Sequence, residues 1–406
     1  MLPTRYTHLP NLSALRKKHG PRADWAAEFF GQGDPPADDL VTEFLKLRNN
    51  SIGMAMFNRA LNQGIAAVDL PRKRLREFFG IVEAVPEWLD RELLALGSRT
   101  HLRCGVFSCL VLGAAALPLA YRSGAGNKPL IFTGELVARA VRRLSETNRF
   151  FIDCCLPGGL ALHSPGWKNI LKVRLVHAHL RHRLYRGDKR PWDQPAWGVP
   201  INQVDMAATQ LLFSVTLLEH LRALGFHFTA DESAALMHLW RYAGHLMGVH
   251  ADLAAASESG GRRLKELLLD VGGCADEGSH ELIKVLMEKA MPALLGGLVP
   301  LPPGWPPRWL RRWLQRPWLL RLFQQHLGHC CYAVSRNILG DEVAADLRYP
   351  STIWRHLAPR LLRWVIAPLE IGRLVIPGGS DLAATLGHKH MQYLIKMGMV
   401  AKPLSI

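Results

Sequence analysis

The chain has 406 residues, of which 49% are hydrophobic, and this fraction excludes an intrinsically disordered protein. Its formal net charge is +16, but the arginines are dispersed along the chain, and there is no zinc-finger spacing, ribonucleoprotein motif or Gly-Lys-rich tail. We therefore expect a globular protein that does not bind nucleic acid.

The predicted elements are helices, because apolar residues recur at three-to-four spacing and alternating β-branched runs are missing. Residues 1–40 are polar and contain prolines, so they are predicted to form an N-terminal arm. Helical patterns follow from Leu40 and Pro71. The next predicted helices are Ser98–Tyr121, Gly134–Cys155, 166–187, Val204–Leu224 with Asn202 as its cap, and a helix from Thr229 to Gly248.

A proline-rich break with one short amphipathic helix spans residues 300–317. The predicted fold class is all-α, with at least eight helices. We divide the chain into the N-terminal arm, a catalytic domain at 41–350, and a C-terminal helical extension at 351–406 that packs on the same core.

The compartment is predicted from cysteine usage and from the start of the chain. The seven cysteines form no CxxC pair, which is typical of free thiols in a reducing compartment. The first residues, MLPTRYTHLPNL, lack an apolar signal region, which predicts a cytoplasmic protein; a secreted chain trimmed of its signal would look the same. The apolar run Gly105–Tyr121 contains Pro118 and is expected to be a buried core helix rather than a membrane span.

Two polar residues lie on the predicted apolar stripe of the helix that ends at Cys155. Arg143 and Thr147 share a side with Phe150, and Leu144 and Phe151 belong to the stripe itself. An arginine and a hydroxyl that face apolar surroundings are costly unless they find a hydrogen-bond partner. We therefore expect a buried acceptor beside this helix.

The next helix has a histidine, His177, in the middle of its apolar stripe. A lone histidine there is more often a core residue than a ligand, but the polar pair on the neighbouring helix favours the ligand. Neutral imidazole is the usual proximal ligand of haem iron, and Arg143 and Thr147 would suit bound oxygen. Arg174 would either pair with a haem propionate or extend to solvent, and the sequence leaves both open.

Other sites are less well supported by the sequence. His238 and His245 are seven residues apart with Arg241 beside them, but no Glu-x-x-His pair accompanies them, so we interpret them as interfacial rather than metal-binding. Nucleotide-binding, hydrolase and zinc-protease motifs are missing. The cysteines do not form CxxCH, so any haem would be non-covalent haem b.

Four blocks of sequence resemble the latex-clearing protein and MpaB-type oxygenase family. They are RRLSETNRFFIDCCLPGGL, WKNILKVRLVHAHLRHRL, WGVPINQVDMAATQLLFS and ADESAALMHLWRYAGHLMGV, and the resemblance covers roughly residues 35 to 350. It implies a globin-like helical core that holds haem b, with additional helices. The proximal histidine of the family's Arg-x-x-His-Ala segment corresponds to His177, which makes it the expected iron ligand, and Arg174 begins that segment.

The distal residues implied by the resemblance are Arg143, Glu146 and Thr147. The family carries Arg-x-x-Lys-Thr at this place, and here the lysine is replaced by Glu146. A glutamate binds ferric iron less readily than lysine does, so the sixth iron position is expected to be open or water-bound. The family also uses a glutamate as base, and Glu135 and Glu146 are both candidates.

The implied reaction is dioxygenase cleavage of a C=C bond of a polyisoprenoid such as cis-1,4-polyisoprene (rubber), with O2 as co-substrate and aldehyde and ketone ends as products. One alternative is an MpaB-like oxygenase that acts on another apolar terpenoid or acyl substrate. Another is a non-catalytic helical protein that binds lipid or haem. We expect a monomer.

A tryptophan stripe in the proline-rich segment bears on surface contact. Trp305, Trp309 and Trp313 are spaced by four, and Arg308, Arg312 and Arg316 form an adjacent stripe. Tryptophan beside arginine suits the surface of a lipid or of a hydrophobic polymer particle. The alternative, which we favour slightly, is a tryptophan stripe packed on the body with a solvated arginine face.

Overall fold

The computed structural model describes residues 2–47, 50–133, 135–187, 190–298, 317–396 and 400–402. Within these ranges every regular element is a helix, so the all-α prediction is confirmed. The tryptophan stripe at 305–313 and its arginines lie outside the described residues.

The first part of the chain forms seven helices, joined in part by 3-10 turns at Phe29–Gly31 and Ile65–Ala67. They are α1 (Thr4–Thr7), α2 (Leu12–His19), α3 (Arg22–Glu28), α4 (Pro35–Leu45), α5 (Asn50–Gln63), α6 (Lys73–Glu83) and α7 (Arg91–Cys104).

The central part contains the two helices on which the sequence placed the candidate site, and a π-helical turn at Leu112–Ala116. Its helices are α8 (Val106–Val111), α9 (Leu117–Tyr121), α10 (Lys128–Thr133), α11 (Glu135–Cys155), α12 (Pro165–Arg186), α13 (Gln194–Trp197), α14 (Gln203–Phe213), α15 (Val215–Leu224) and α16 (Ala230–Met247).

The last part has a 3-10 turn at Ala251–Leu253, a second π-helical turn at Leu286–Ala290 and a further 3-10 turn at Ile353–Arg355. Its helices are α17 (Glu258–Val271), α18 (Glu277–Val285), α19 (Met291–Leu298), α20 (Pro317–Leu339), α21 (Asp341–Asp346), α22 (Leu357–Val375) and α23 (Gly379–Lys396).

Helix starts follow the predicted caps. The Asn202 side chain accepts a hydrogen bond from the Asp205 amide at 3.1 Å, before α14. Thr229 and Glu232 form a capping box at the start of α16, in which each side chain binds the other's backbone amide. These local signals stand in the sequence itself, which is why both starts were predictable.

Two predicted long helices are broken. The helix expected from Ser98 to Tyr121 ends at Cys104, because Gly105 adopts φ 53°, which terminates α7. The helix expected from Val204 to Leu224 breaks at Ser214, whose backbone leaves the helical region and whose hydroxyl donates to the Gln210 carbonyl at 3.1 Å.

The apolar segment after Gly105 is buried in the body of the protein, as predicted, with Cys109, Val111 and Ala115 fully covered. Within the described ranges, no single helix is both long and apolar enough to cross a membrane. The helices Arg91–Cys104 and Val106–Tyr121 pass such a test only together, as a pair bent by 84°.

The N-terminal residues fold onto the main hydrophobic core. Tyr6, Phe30 and Leu40 are completely buried in it. Helix α4 runs from Pro35 to Leu45, so the expected end of the arm at residue 40 falls inside a helix. At the other end of the chain, Ile366 of α22 and Met391 of α23 are also fully buried.

Helix α7 lies between α16 and α23, and a glycine permits close approach on each side. A Cβ at Gly97 would lie 2.6 Å from the Ala235 carbonyl oxygen of α16. A Cβ at Gly387 of α23 would collide with the Leu102 carbonyl oxygen of α7. Backbone therefore meets backbone on both sides of α7.

We predict that Gly387→Ala lowers the free energy of unfolding by about 1–3 kcal/mol, because the added methyl group forces α23 away from α7. Gly80→Ala is the matched control, since a Cβ there meets nothing within 4 Å on the exposed side of α6. The control should be neutral or stabilising by roughly 0.5–1 kcal/mol. Urea unfolding of both variants measures the difference, and equal effects would contradict the packing described here.

Candidate functional site

A cavity of about 600 Å³ lies in the body of the protein. Its walls come largely from α11, α12, α14 and α16, and its volume is in the range typical of ligand and cofactor sites. The wall is mainly apolar. Its hydrophobic residues include Leu117, Phe150, Val173, Val176, Leu180, Met206, Phe213, Trp240 and Met247.

The structure brings four of the predicted site residues to this one cavity. Arg143, Glu146 and Thr147 reach it from α11, and His177 reaches it from α12. The two helices pack against each other, so residues 30 or more positions apart in sequence share one wall. The fifth predicted residue, Arg174, does not line the cavity.

His177 lies at the boundary between two sides of α12. Val173, Val176 and Leu180 on one side of the histidine line the cavity, while Arg174 and Arg181 on the other side are buried in the protein. The Nδ1 atom of His177 is buried and has no hydrogen-bond partner. Among the described residues, no hydrogen bond at Nδ1 therefore fixes the orientation of this ring.

Burial, reinforced by the positive charge of Arg181, lowers the pKa of His177 to about 3. The imidazole is consequently neutral at physiological pH, which is the form that binds a metal ion. A neutral imidazole on an apolar cavity wall is a suitable ligand for haem iron.

Arg174 has a different role from either of the two predicted for it. Its Nε and Nη2 atoms donate to the Asp34 carboxylate at 2.7 and 2.8 Å, and its Nη1 donates to the Leu246 carbonyl at 3.0 Å. Both charged side chains are nearly inaccessible to solvent. The sequence predicted that Arg174 would pair with a haem propionate or extend to solvent, and both predictions were wrong. Its guanidinium is already paired with Asp34 at the start of α4.

Arg181, one turn beyond His177, extends this ion-pair network. Its Nε donates to Asp38 at 2.7 Å, and its Nη2 lies 4.0 Å from Asp34. Burial raises the pKa of Asp38, against the opposing charge of Arg181. Two arginines of α12 and two aspartates at the start of α4 therefore hold these helices together, on the side of α12 that faces away from the cavity.

Arg143 is more exposed than the sequence suggested. It lines the cavity but is open to solvent, and no ion pair holds it within the described part of the chain. The Thr147 hydroxyl donates to the Arg143 backbone carbonyl at 3.0 Å. The sequence predicted a buried acceptor for both residues. For Thr147 this acceptor is the backbone of its own helix, whereas the guanidinium of Arg143 can bind a ligand in the cavity.

Glu146 is half-buried, and its carboxylate accepts a hydrogen bond from Nε of Arg142 at 2.8 Å. The other candidate base, Glu135, begins α11, but its side chain lies outside the described residues. Asp205 also lines the cavity, but it is bound by Arg5 at 3.0 Å and by Asn202 at 2.8 Å. Glu146 is therefore the carboxylate with the clearest access to this cavity among those described.

Three cations at the cavity were not predicted, and one of them, Arg149, is held by Asp153 at 2.8 Å. Arg183 and Lys402 both line it and are both exposed. Arg183 could have been found from the sequence, since it follows Leu180 by three residues on the same side of α12. Lys402 follows α23 along the chain and carries no periodic signal, so only the folded structure reveals it.

The histidine pair on α16 takes part in hydrogen bonding and aromatic packing. The Nε2 atom of His238 accepts a hydrogen bond from the Asp90 amide at 3.0 Å, and both histidines pack edge-on against Trp88. Arg241 lies over the same tryptophan ring at 4.0 Å. Among the residues that the structure describes, no cluster of three or more His, Cys, Asp or Glu could hold a metal ion.

We predict that Arg174→Met lowers the free energy of unfolding by about 3–5 kcal/mol, because the substitution leaves Asp34 buried without its principal partner. Asp69→Asn breaks the exposed pair of Arg59 and Asp69, which is 3.0 Å long, and serves as control. The control should cost less than about 1 kcal/mol. Chemical denaturation measures both, and a similar small loss in each would show that the buried network does not hold α12.

Comparison with known proteins gives consistent matches. The family described as "ER-bound oxygenase mpaB/B'/Rubber oxygenase, catalytic domain" matches residues 99–369. The rubber oxygenase of Streptomyces sp. (strain K30) is 24% identical over 207 residues, which are 48% of this chain and 48% of that protein. The matched part thus spans about half the length of that relative.

A solved structure supports the fold. The structure of latex clearing protein LCP in the closed state aligns with a TM-score of 0.58 and 20% identity, and the alignment covers 90% of this chain and 91% of that one. At this identity the likeness concerns the fold alone. The helical architecture found here is accordingly that of a known all-α protein.

Proposed function

Because the chain belongs to the family of the mpaB/B' and rubber oxygenase catalytic domains, we propose that it is a haem b-dependent dioxygenase that cleaves C=C bonds of a polyisoprenoid, cis-1,4-polyisoprene. The relatives in this family are oxygenases. The observation that carries the proposal is that His177, Arg143, Glu146 and Thr147 all line the same, mainly apolar cavity.

The residues of the cavity fit haem b. The cavity volume is adequate, the neutral His177 imidazole would bind the iron, and Arg183 and Lys402 would supply cations for the two propionates. Arg174 is not part of this set, since Asp34 occupies it. Haem b, when bound, supplies the redox-active iron through which the enzyme uses O2.

The distal residues of the proposal have separate roles. The unpaired guanidinium of Arg143 stabilises negative charge that develops on oxygen. Thr147 donates to its own helix, so its hydroxyl offers lone pairs to the cavity and must rotate before it can donate there. The Glu146 carboxylate accepts an allylic proton from the substrate, while Arg142 holds one of its oxygens in place.

The apolar wall selects a hydrocarbon substrate. Phe150, Phe213 and Leu180 offer no hydrogen bond, so a chain rich in polar groups would lose its hydration without compensation. A second candidate is another apolar terpenoid or acyl substrate. The replacement of the family's lysine by Glu146 favours this second candidate, because it puts an acidic side chain in place of a basic one beside the reacting bond.

We predict that protein loaded with haemin shows a Soret absorption band, and that His177→Ala shifts the band and weakens haem binding. The physical reason is the loss of the axial nitrogen. Titration with haemin, followed by absorption, measures both effects. Arg183→Gln is the control, since it removes a cation without removing the ligand, and its band position should not move. An identical band in wild type and His177→Ala would contradict the assignment.

We predict that Glu146→Gln lowers the rate of polyisoprene cleavage by about a hundredfold or more, because an amide does not accept the proton. Oligo-isoprenoid products with aldehyde and ketone ends are separated by chromatography after incubation with polyisoprene latex. The variant should keep the Soret band of the wild type, which distinguishes a lost base from lost haem. Haem-loaded wild type that forms no such products would exclude polyisoprene and favour the second candidate.

A further inference from the structure

Helix α22 presents an apolar face to solvent. Trp364 is 80% exposed and Val375 is 73% exposed. The exposed residues Leu357, Leu361, Trp364, Pro368, Ile371 and Val375 recur at three-to-four spacing, so they form one stripe along the helix, and Val365 lies beside it. A surface helix normally has the opposite arrangement, with its apolar stripe against the core.

The side of α22 that faces the protein contains charged groups. Glu370 is buried there and binds Arg373 at 2.9 Å and Arg103 at 3.5 Å. Ile366 is its fully buried apolar residue. Helix α22 is therefore not apolar on every side. Its inner side contains the ion pairs of Glu370, and its apolar stripe is on the outer side.

Helix α23 packs beside α22 and extends the exposed surface. Leu382 is 54% exposed and Leu386 is 58% exposed, and Tyr393 follows on the same side of the helix. We call the outer stripe of α22 together with these three residues of α23 the α22–α23 face. Exposed apolar residues in such number on two neighbouring helices are typical of an interaction site.

Basic residues accompany the apolar ones. Arg360 flanks the stripe of α22, and Lys389 and Lys396 lie on the exposed side of α23. None of the three is in an ion pair within the described part of the chain. The acids of these two helices are Glu370, which is buried and paired, and Asp381, so cations predominate around the α22–α23 face.

We propose that the α22–α23 face docks on the surface of an anionic lipid bilayer. Leucine, valine and tryptophan side chains enter the boundary between headgroups and acyl chains, while the flanking cations meet lipid phosphate or carboxylate. This surface is distinct from residues 305–313, where the sequence suggested lipid contact, and it does not depend on haem or on the substrate proposed above.

A second copy of the chain is a poorer occupant. Two α22–α23 faces would bring Arg360, Lys389 and Lys396 of each copy together, and the whole chain already has a formal net charge of +16. Like charges at an interface oppose association, whereas an anionic bilayer attracts the same groups.

The test is sedimentation of the full chain with vesicles of phosphatidylcholine alone and with vesicles of equal parts phosphatidylcholine and phosphatidylserine. Wild type should bind the anionic vesicles preferentially. Trp364→Glu should reduce this binding about tenfold or more, and the double variant Arg360→Gln/Lys389→Gln should lower the preference for anionic lipid about tenfold, since it removes two of the three cations beside the face.

Leu70→Glu is the matched control, since Leu70 is 91% exposed and lies outside α22 and α23. Trp364 is likewise exposed, so both variants should retain the wild-type melting temperature. The proposal is overturned if wild type does not bind anionic vesicles, or if Trp364→Glu binds as well as Leu70→Glu. Ultracentrifugation without lipid completes the test, because a dimer that Trp364→Glu dissociates would assign the face to a second copy instead.

Discussion

The position of helix α12 depends on a pair of buried charges. Arg174 and Arg181 are almost completely inaccessible to solvent, and each requires a carboxylate to offset its desolvation. Asp34 and Asp38 supply those carboxylates from the start of α4. Because His177 lies between the two arginines in sequence, the same ion pairs determine where its ring meets the cavity. The N-terminal residues therefore contribute directly to the candidate site, although they contain none of its ligands.

The sequence predicted what local patterns encode. Three-to-four spacing revealed α11 and α12, caps at Asn202 and Thr229 marked helix starts, and His177 stood out as polar on an apolar stripe. These features depend on residues within a few turns of one another. Arg143 and Thr147 stood out as polar residues on the neighbouring helix, the family resemblance added Glu146, and the structure places these three side chains and His177 on one cavity.

The errors concern contacts between distant residues or small backbone changes. The partner of Arg174 is 140 residues away, so its sequence neighbourhood could not reveal the ion pair. The break at Ser214 depends on one hydroxyl that binds the preceding turn, and a single serine in an apolar helix is usually tolerated. The apolar face of α22 was missed because periodicity shows that a helix has an apolar side, but not which way that side points.

The two glycines that border α7 have a mechanical consequence. Where backbones touch, there is no intervening layer of side chains that could change rotamer, so the close contacts oppose sliding of α16 and α23 along α7. Helix α16 forms part of the cavity wall through Trp240 and Met247, while α23 forms part of the outer apolar surface. These close contacts therefore hold the cavity wall and the outer apolar surface in a defined position relative to each other.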